Sequence, residues 1–342
     1  MRKKMVLCCL VFLFLLSELL YSSTKLYSIQ APSEDVKFKL CNVLYEEDLV
    51  TGKIRKIGDL SKANVYKVVN FVVNEELGKL FLTEYVTYKY KVKVINLSPL
   101  QPIAVLNIET EEPDIELLSN TRNGNLYVTY WDDKEEMWTT KLYYAPDYLK
   151  SKEIDGCFIL VKNSYFSDDG KYLFSICNIH GEKGSFFQVA DTTGELIITR
   201  KCSNLGINNT YGIVVGAIRN EVLIRSEDKG KYSYYLFDPF KNLITSKILE
   251  LNRPLHRYCL TYKRKIISQE FDKKIKSFTK QITIYDLNRG IEVSRLQLPY
   301  QGILVVNRHA EDKIFIKGEV ENYMIEEKEN KFNLSVIGGI FK

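Results

Sequence analysis

Tryptophan, methionine and histidine are scarce in this chain of 342 residues, at 2, 4 and 3 copies, and each shortage closes off a class of protein. His180, His256 and His309 are widely dispersed, so they do not form a metal-binding cluster. Cysteine occurs without any Cys-x-x-Cys spacing, which argues against a zinc site or a dense disulfide framework. There is no Gly-x-Ser-x-Gly elbow, no phosphate-cradling glycine loop and no nucleophile beside a plausible base. No segment longer than a loop keeps helical periodicity. Cofactors are therefore not expected.

The N-terminus is the exception to a strand-like chain. Arg2, Lys3 and Lys4 precede an apolar run from Met5 to Leu16, and Ser22 and Ser23 follow it, the pattern of a secretory signal peptide occupying residues 1–23. The run is too short to span a bilayer comfortably, so no membrane span is expected after cleavage, an uncleaved anchor being the alternative. Cys8 and Cys9 stand before most of the run, which argues against a lipoprotein cleavage site. Cleavage would leave 45 Lys and Arg against 42 Asp and Glu, a net charge of +3. With the basic residues unclustered, nucleic acid is not an expected partner. Five cysteines would remain, Cys41, Cys157, Cys177, Cys202 and Cys259, expected mainly as small buried residues. A single bridge, such as Cys157 to Cys202, is compatible with the sequence, which does not assign one.

What the chain has in abundance is tyrosine, 23 copies, and phenylalanine, 17, a balance that favours strands. Its most informative stretch is Tyr165-Phe166-Ser167-Asp168-Asp169-Gly170-Lys171-Tyr172-Leu173, where Ser and Asp can bond back to the backbone and Gly can supply the positive φ of a tight turn. Related corners occur at Gly78 and Gly124, and looser ones at Arg219, Arg264 and Glu311. A second signal, Asp followed closely by Gly or Asn, recurs at Asp48 to Gly52, Asp191 to Gly194, Asp238 to Asn242 and Asp286 to Gly290. Gly194, Asn242 and Gly290 are 48 residues apart.

Between these corners the sequence alternates as half-buried strands do, giving seven units of about 40 to 50 residues. Residues 24–342 are thus predicted to be one all-β domain, a β-propeller of four-stranded antiparallel blades, seven preferred over six or eight. Two β-sandwiches would supply the strands but no reason for the period. In the N-terminal unit, the last two strands are the clear ones, at Phe38 to Tyr45 and Lys53 to Ile57.

The corner Ser167-Asp168-Asp169-Gly170-Lys171 resembles the Ser-Pro-Asp-Gly-Lys of WD-type and TolB-like bacterial propellers, with Asp168 where proline is usual. Asp48-Leu49-Val50-Thr51-Gly52-Lys53 is similar to their third-strand ending. Gly-His and Trp-Asp dipeptides are missing from the expected positions. The resemblance implies the fold and carries over no ligand or catalytic residue.

Candidate site residues are accordingly sought on loops. Asp132, Asp133, Glu135 and Glu136 form a charged tip between Trp131 and Trp138, the tryptophans being read either as a cross-strand pair that pins the hairpin or as an aromatic anchor for a partner or a sugar. His180 falls in an equivalent loop as a single binding or acid-base residue. The loops 131–138, 178–184, 226–232 and 270–278 are expected on one face. The expected function is a secreted or periplasmic, monomeric, non-enzymatic module that binds a protein or peptide. An envelope structural role differs only in its partner. The rival is a lactonase-like propeller hydrolase with a metal in the channel mouth, which would need residues such as Asn70, Glu116, Asn163 and Asn307 to converge.

Overall fold

The computed structural model describes residues 25–30, 42–106, 108, 110–154, 158–159, 164–178, 184–207, 213–241, 247–272, 274–306, 312–329 and 331–339. The signal-like segment 1–23, Phe38 to Cys41, Asn163, His180 and Asn307 lie outside them. Seven antiparallel sheets follow one another along the chain as the blades of a ring. Blade 1 comprises β1 (Lys25–Gln30), β2 (Val43–Asp48) and β3 (Ile54–Asp59), and blade 2 comprises β4 (Val68–Asn74), β5 (Lys79–Val86), β6 (Lys89–Leu97) and β7 (Leu100–Val105). Blade 3 has β8 (Glu116–Ser119), β9 (Leu126–Asp132), β10 (Met137–Tyr143) and β11 (Ser151–Glu153). In blade 4 the run predicted from Phe158 to Phe166 is divided into β12 (Phe158–Ile159) and β13 (Tyr165–Phe166), both paired with β14 (Tyr172–Asn178), before β15 (Ser185–Asp191) and β16 (Leu196–Lys201). Blade 5 holds β17 (Ile213–Ile218), β18 (Glu221–Asp228), β19 (Lys231–Phe237) and β20 (Lys247–Leu251). Blade 6 holds β21 (Arg257–Leu260), β22 (Lys265–Asp272), β23 (Ser277–Asp286) and β24 (Ile291–Gln297), and blade 7 holds β25 (Gly302–Leu304), β26 (Lys313–Gly318), β27 (Glu321–Lys328) and β28 (Lys331–Gly339).

Blade 1 shows three strands among the described residues, and they correspond to the outer three of the other blades. The turn after β2 carries the Asp48 to Gly52 corner, and the register of β2 on β3 slips by one residue at Leu44 and Tyr45. Similar slips mark the third and fourth strands of blades 2, 4, 5, 6 and 7. A bulge at that place adds twist, as a propeller sheet requires between its inner and outer edges.

The second strand of a blade departs from the alternation read in the sequence. Leu126 to Tyr130 on β9 and Leu80 to Glu84 on β5 are buried without interruption. The reason is that a sheet in the ring has neighbours on both faces, so both sets of side chains go into cores. Val222 and Ile224 of β18 join Phe174 and Phe187 of blade 4, whereas Leu223 joins Leu260 and Ile266 of blade 6. Among the described residues the buried apolar side chains form seven clusters, and every cluster draws on two adjacent blades, the last joining Val305 and Phe315 of blade 7 to Leu26 and Leu49 of blade 1.

Turn chemistry follows the sequence closely at the central corner. Gly170 has φ 69°, its N–H donates to Ser167 O at 2.8 Å, and the Asp169 carboxylate accepts from the Ser167 hydroxyl at 2.7 Å and from Lys171 N at 3.1 Å. Asp168 does something else: its Oδ2 accepts from Arg219 N of blade 5 at 3.1 Å, and burial raises its pKa. At Gly290, with φ 68°, a Cβ would stand 2.3 Å from Ile248 O of blade 5, so only glycine lets blades 5 and 6 approach there.

The cysteines correct one expectation. Cys202 is a buried free thiol, its pKa pushed up to about 12 by burial, so it takes no part in a bridge with Cys157. Cys177 on β14 is the disulfide-bonded residue, and its partner lies outside the described residues. Cys259 is free and buried, its thiol donating to Val305 O of blade 7 at 3.0 Å.

Gln269 on β22 is fully buried and joins blades 6 and 7. Its Nε2 donates to Thr279 O at 2.8 Å and Gly302 O at 2.7 Å, and its Oε1 accepts from Leu304 N at 2.8 Å. Gln269→Ala leaves the Leu304 N–H and the Gly302 carbonyl unpaired at a dry seam, and it is expected to lower unfolding free energy by about 3 kcal/mol in urea titrations.

Candidate functional site

Antiparallel order puts the turns after the second strand of blades 3, 5 and 6 on one face, as expected for loops 131–138, 226–232 and 270–278, and residues 179–183 of the expected loop 178–184 lie outside the described residues. The turns 87–88 and 229–230 are two-residue connections with φ of 49° and 66° at Thr87 and Tyr88, and of 48° and 78° at Lys229 and Gly230. Positive φ at both central positions gives a hairpin turn that matches strand twist.

In blade 3 the structure brings together four of the five predicted site residues. Trp131 and Trp138 are cross-strand partners on β9 and β10, their rings edge to face at 83° with centroids 5.9 Å apart. Such a pair contributes about 0.5–1.5 kcal/mol beyond the area it buries. Asp132 Oδ1 accepts from Lys134 N at 3.0 Å, which closes the tip, and Asp133 Oδ2 accepts from Glu111 N at 3.1 Å, which fastens it to the segment entering the blade. Both indoles remain partly exposed. The result is an aromatic tip whose orientation is fixed from two sides. The Asp132 and Asp133 carboxylates are engaged in backbone bonding, and no group of three or more potential metal ligands occurs among the described residues.

A second concentration of polar side chains lies where blades 4, 5 and 6 meet near the ring interior. Arg225 on β18 faces Tyr234 across the ladder and stands 5.7 Å from the Tyr232 ring centroid. Tyr258, on the innermost strand of blade 6, packs against the same cluster and is in hydrogen-bond contact with Tyr165 of blade 4. Tyr234 accepts from Leu255 N at 3.3 Å, and burial pushes its pKa up to about 12. Burial also drives the Tyr258 phenol well above its ordinary value. Arg225 makes no hydrogen bond or ion pair among the described residues and is partly open to solvent.

No protein-family model matches the chain, and no curated protein matches its sequence. Solved structures do. Uncharacterized protein lmo1340 from Listeria monocytogenes EGD-e is 12% identical with a TM-score of 0.54, covering 93% of this chain and 92% of that one. A prolyl endopeptidase is 11% identical with a TM-score of 0.58, covering 96% of this chain, which spans 52% of that one. Kuenenia stuttgartiensis hydrazine synthase is 11% identical with a TM-score of 0.51, covering 87% and 90%. Identities this low speak for the fold alone.

Of the residues considered for a metal at the channel mouth, Asn163 and Asn307 lie outside the described residues. Asn70 donates its Nδ2–H to Ile115 O of blade 3 at 3.1 Å while its Oδ1 is buried without a hydrogen-bond partner among the described residues, and Glu116 is held in a polar contact. His256 stacks at 5.7 Å on Phe271, itself 5.2 Å from Phe278, and the Arg257 guanidinium lies 5.7 Å from Phe278 with its Nε donating to Leu304 O. Burial lowers the Arg257 pKa to about 10. The Arg225 group escaped sequence reading because its members come from three blades; the alternation Tyr232-Ser233-Tyr234 was the local sign that two tyrosines share a face.

The buried phenols give a titration test. Because its folded pKa is raised to about 12, Tyr234 contributes stability that is complete below the unfolded value near 10 and is lost as pH rises through 12. Ultraviolet titration of the native chain is expected to leave Tyr234 neutral at about pH 11 and to show one fewer late-titrating phenol in Tyr234→Phe.

Proposed function

We propose that this propeller is a non-enzymatic binding module that takes a protein or peptide partner on the face presenting the Trp131 to Trp138 tip, and that it works outside the cytoplasm as a monomer. The observation that carries this reading is the pair of partly exposed indoles held rigid by each other and by the Asp132 and Asp133 backbone bonds. An aromatic group ordered before binding loses little entropy when a partner covers it, and that is what makes tryptophan effective at the centre of an interface. Polar carboxylates around the tip supply a rim. The compartment is supported by the signal-like N-terminus and by the disulfide at Cys177, since structural disulfides persist where the surroundings are oxidising.

Replacing both Trp131 and Trp138 by Ala is expected to abolish retention of any partner that the wild-type chain captures, while circular dichroism stays that of a β-protein. Retention unchanged in the double variant would remove the tip from the interface. For the compartment, N-terminal sequencing of chain recovered from the producing cell is expected to begin just after Ser22 or Ser23; an intact Met1 terminus on cytoplasmic material would overturn secretion.

A further inference from the structure

A guanidinium that is half-buried and unpaired is a costly thing for a fold to keep. Loss of hydration at Arg225 is compensated on one side by the face of the Tyr232 ring, 5.7 Å from the guanidinium carbon, but no carboxylate answers its charge among the described residues. Elsewhere this chain pairs its half-buried cations: Lys93 with Glu84, Lys265 with Asp286, and Arg264 with Glu221 across a seam. Arg257, the other unpaired arginine near the interior, at least gives its Nε to the Leu304 carbonyl. At Arg225 the N–H edges have no acceptor among the described residues.

Of the hydroxyls around it, that of Tyr232 is held by the Glu227 carboxylate, and that of Tyr234 is left to donate. Tyr234, directly opposite Arg225 on the neighbouring strand, uses its oxygen to accept from Leu255 N at 3.3 Å, so its own proton remains to be given. Tyr258 and Tyr165 contact each other and so join blade 6 to blade 4. The walls between these polar points are tyrosine rings from three successive blades. We infer that Arg225, with Tyr165, Tyr232, Tyr234 and Tyr258, forms a binding site for a carboxylate carried on an apolar or aromatic body.

The chemistry selects a carboxylate over other anions. One planar guanidinium presents parallel N–H groups that fit two coplanar oxygens, and the single positive charge balances a single negative one. A phosphate dianion would call for a second cation, and the neighbouring hydroxyls bring none. The ring walls would stack on the body of the ligand. This site is independent of the Trp131 to Trp138 tip, so failure of one leaves the other standing.

The test uses the full chain and three probes: phenylacetate, phenylacetamide and inorganic phosphate. Calorimetric titration is expected to show saturable binding of phenylacetate to the wild type. Arg225→Met should weaken it at least tenfold, equivalent to about 1.4 kcal/mol. Phenylacetamide, with the same ring and no charge, should bind at least tenfold more weakly than phenylacetate. Tyr258→Phe, which removes only a hydroxyl, should cost two- to fivefold. In the absence of probe, Arg225→Met should melt at the wild-type temperature or above it, because an unpaired buried charge is being removed. Equal affinity of Arg225→Met for phenylacetate, equal affinity of the wild type for the amide, or binding of phosphate without phenylacetate would each overturn the assignment. Should Arg225→Met fail to fold, Arg225→Lys keeps the charge and loses the planar fork; unchanged phenylacetate affinity in that variant would equally overturn it.

Discussion

Sheets with no dry face of their own are the constraint from which this structure follows. Each blade is buried only where it meets the next, and the seven apolar clusters are the seven seams. Polar side chains reinforce each of them. Tyr27 reaches Glu75 at 2.8 Å, Asn74 reaches Ser119 at 3.0 Å, Asn120 reaches Gly170 O at 2.7 Å, Asp168 holds Arg219 N at 3.1 Å and Arg264 pairs with Glu221. These partners are separated by 43 to 51 residues, about one blade. Gln269 and then Asn322, whose Nδ2 donates to Leu49 O at 3.1 Å, complete the circuit back to the first blade.

Buried amides at these seams do more than add free energy. An apolar seam tolerates sliding of one sheet over another, whereas Asn74, Asn120 and Gln269 are satisfied in only one register, and a slip would leave buried donors and acceptors without partners. That fixed register is what lets loops from different blades present a defined surface. The Trp131 to Trp138 tip depends on it through Asp133, and the Arg225 group exists only because three blades keep their relative heights.

How much of this was legible beforehand varies with sequence distance. The Ser167 to Lys171 corner was readable, since Ser167, Asp169 and Gly170 bond within a few residues of themselves. The cross-strand Trp pair was readable for the same reason. Asp168 was not: its place in the sequence is that of a turn residue, yet its carboxylate serves Arg219, 51 residues on. Cysteine pairing was not readable either, because Cys202 and Cys177 differ in what faces them across the fold and not in their neighbours along the chain. Half-burial of the second strands was wrong in degree, because period two records which side a residue points to and cannot say whether both sides are covered.

By itself the sequence determined the β class, the repeat of about 48 residues and the turn residues that make each hairpin, because these rest on interactions among residues close together in the chain. Only the tertiary structure decided which carboxylate is a turn residue and which a tie between blades, which cysteine is bridged, and which arginine has no counter-charge among the described residues. Those outcomes depend on what stands opposite a side chain across a seam, and a seam joins residues that the chain separates by the length of a blade.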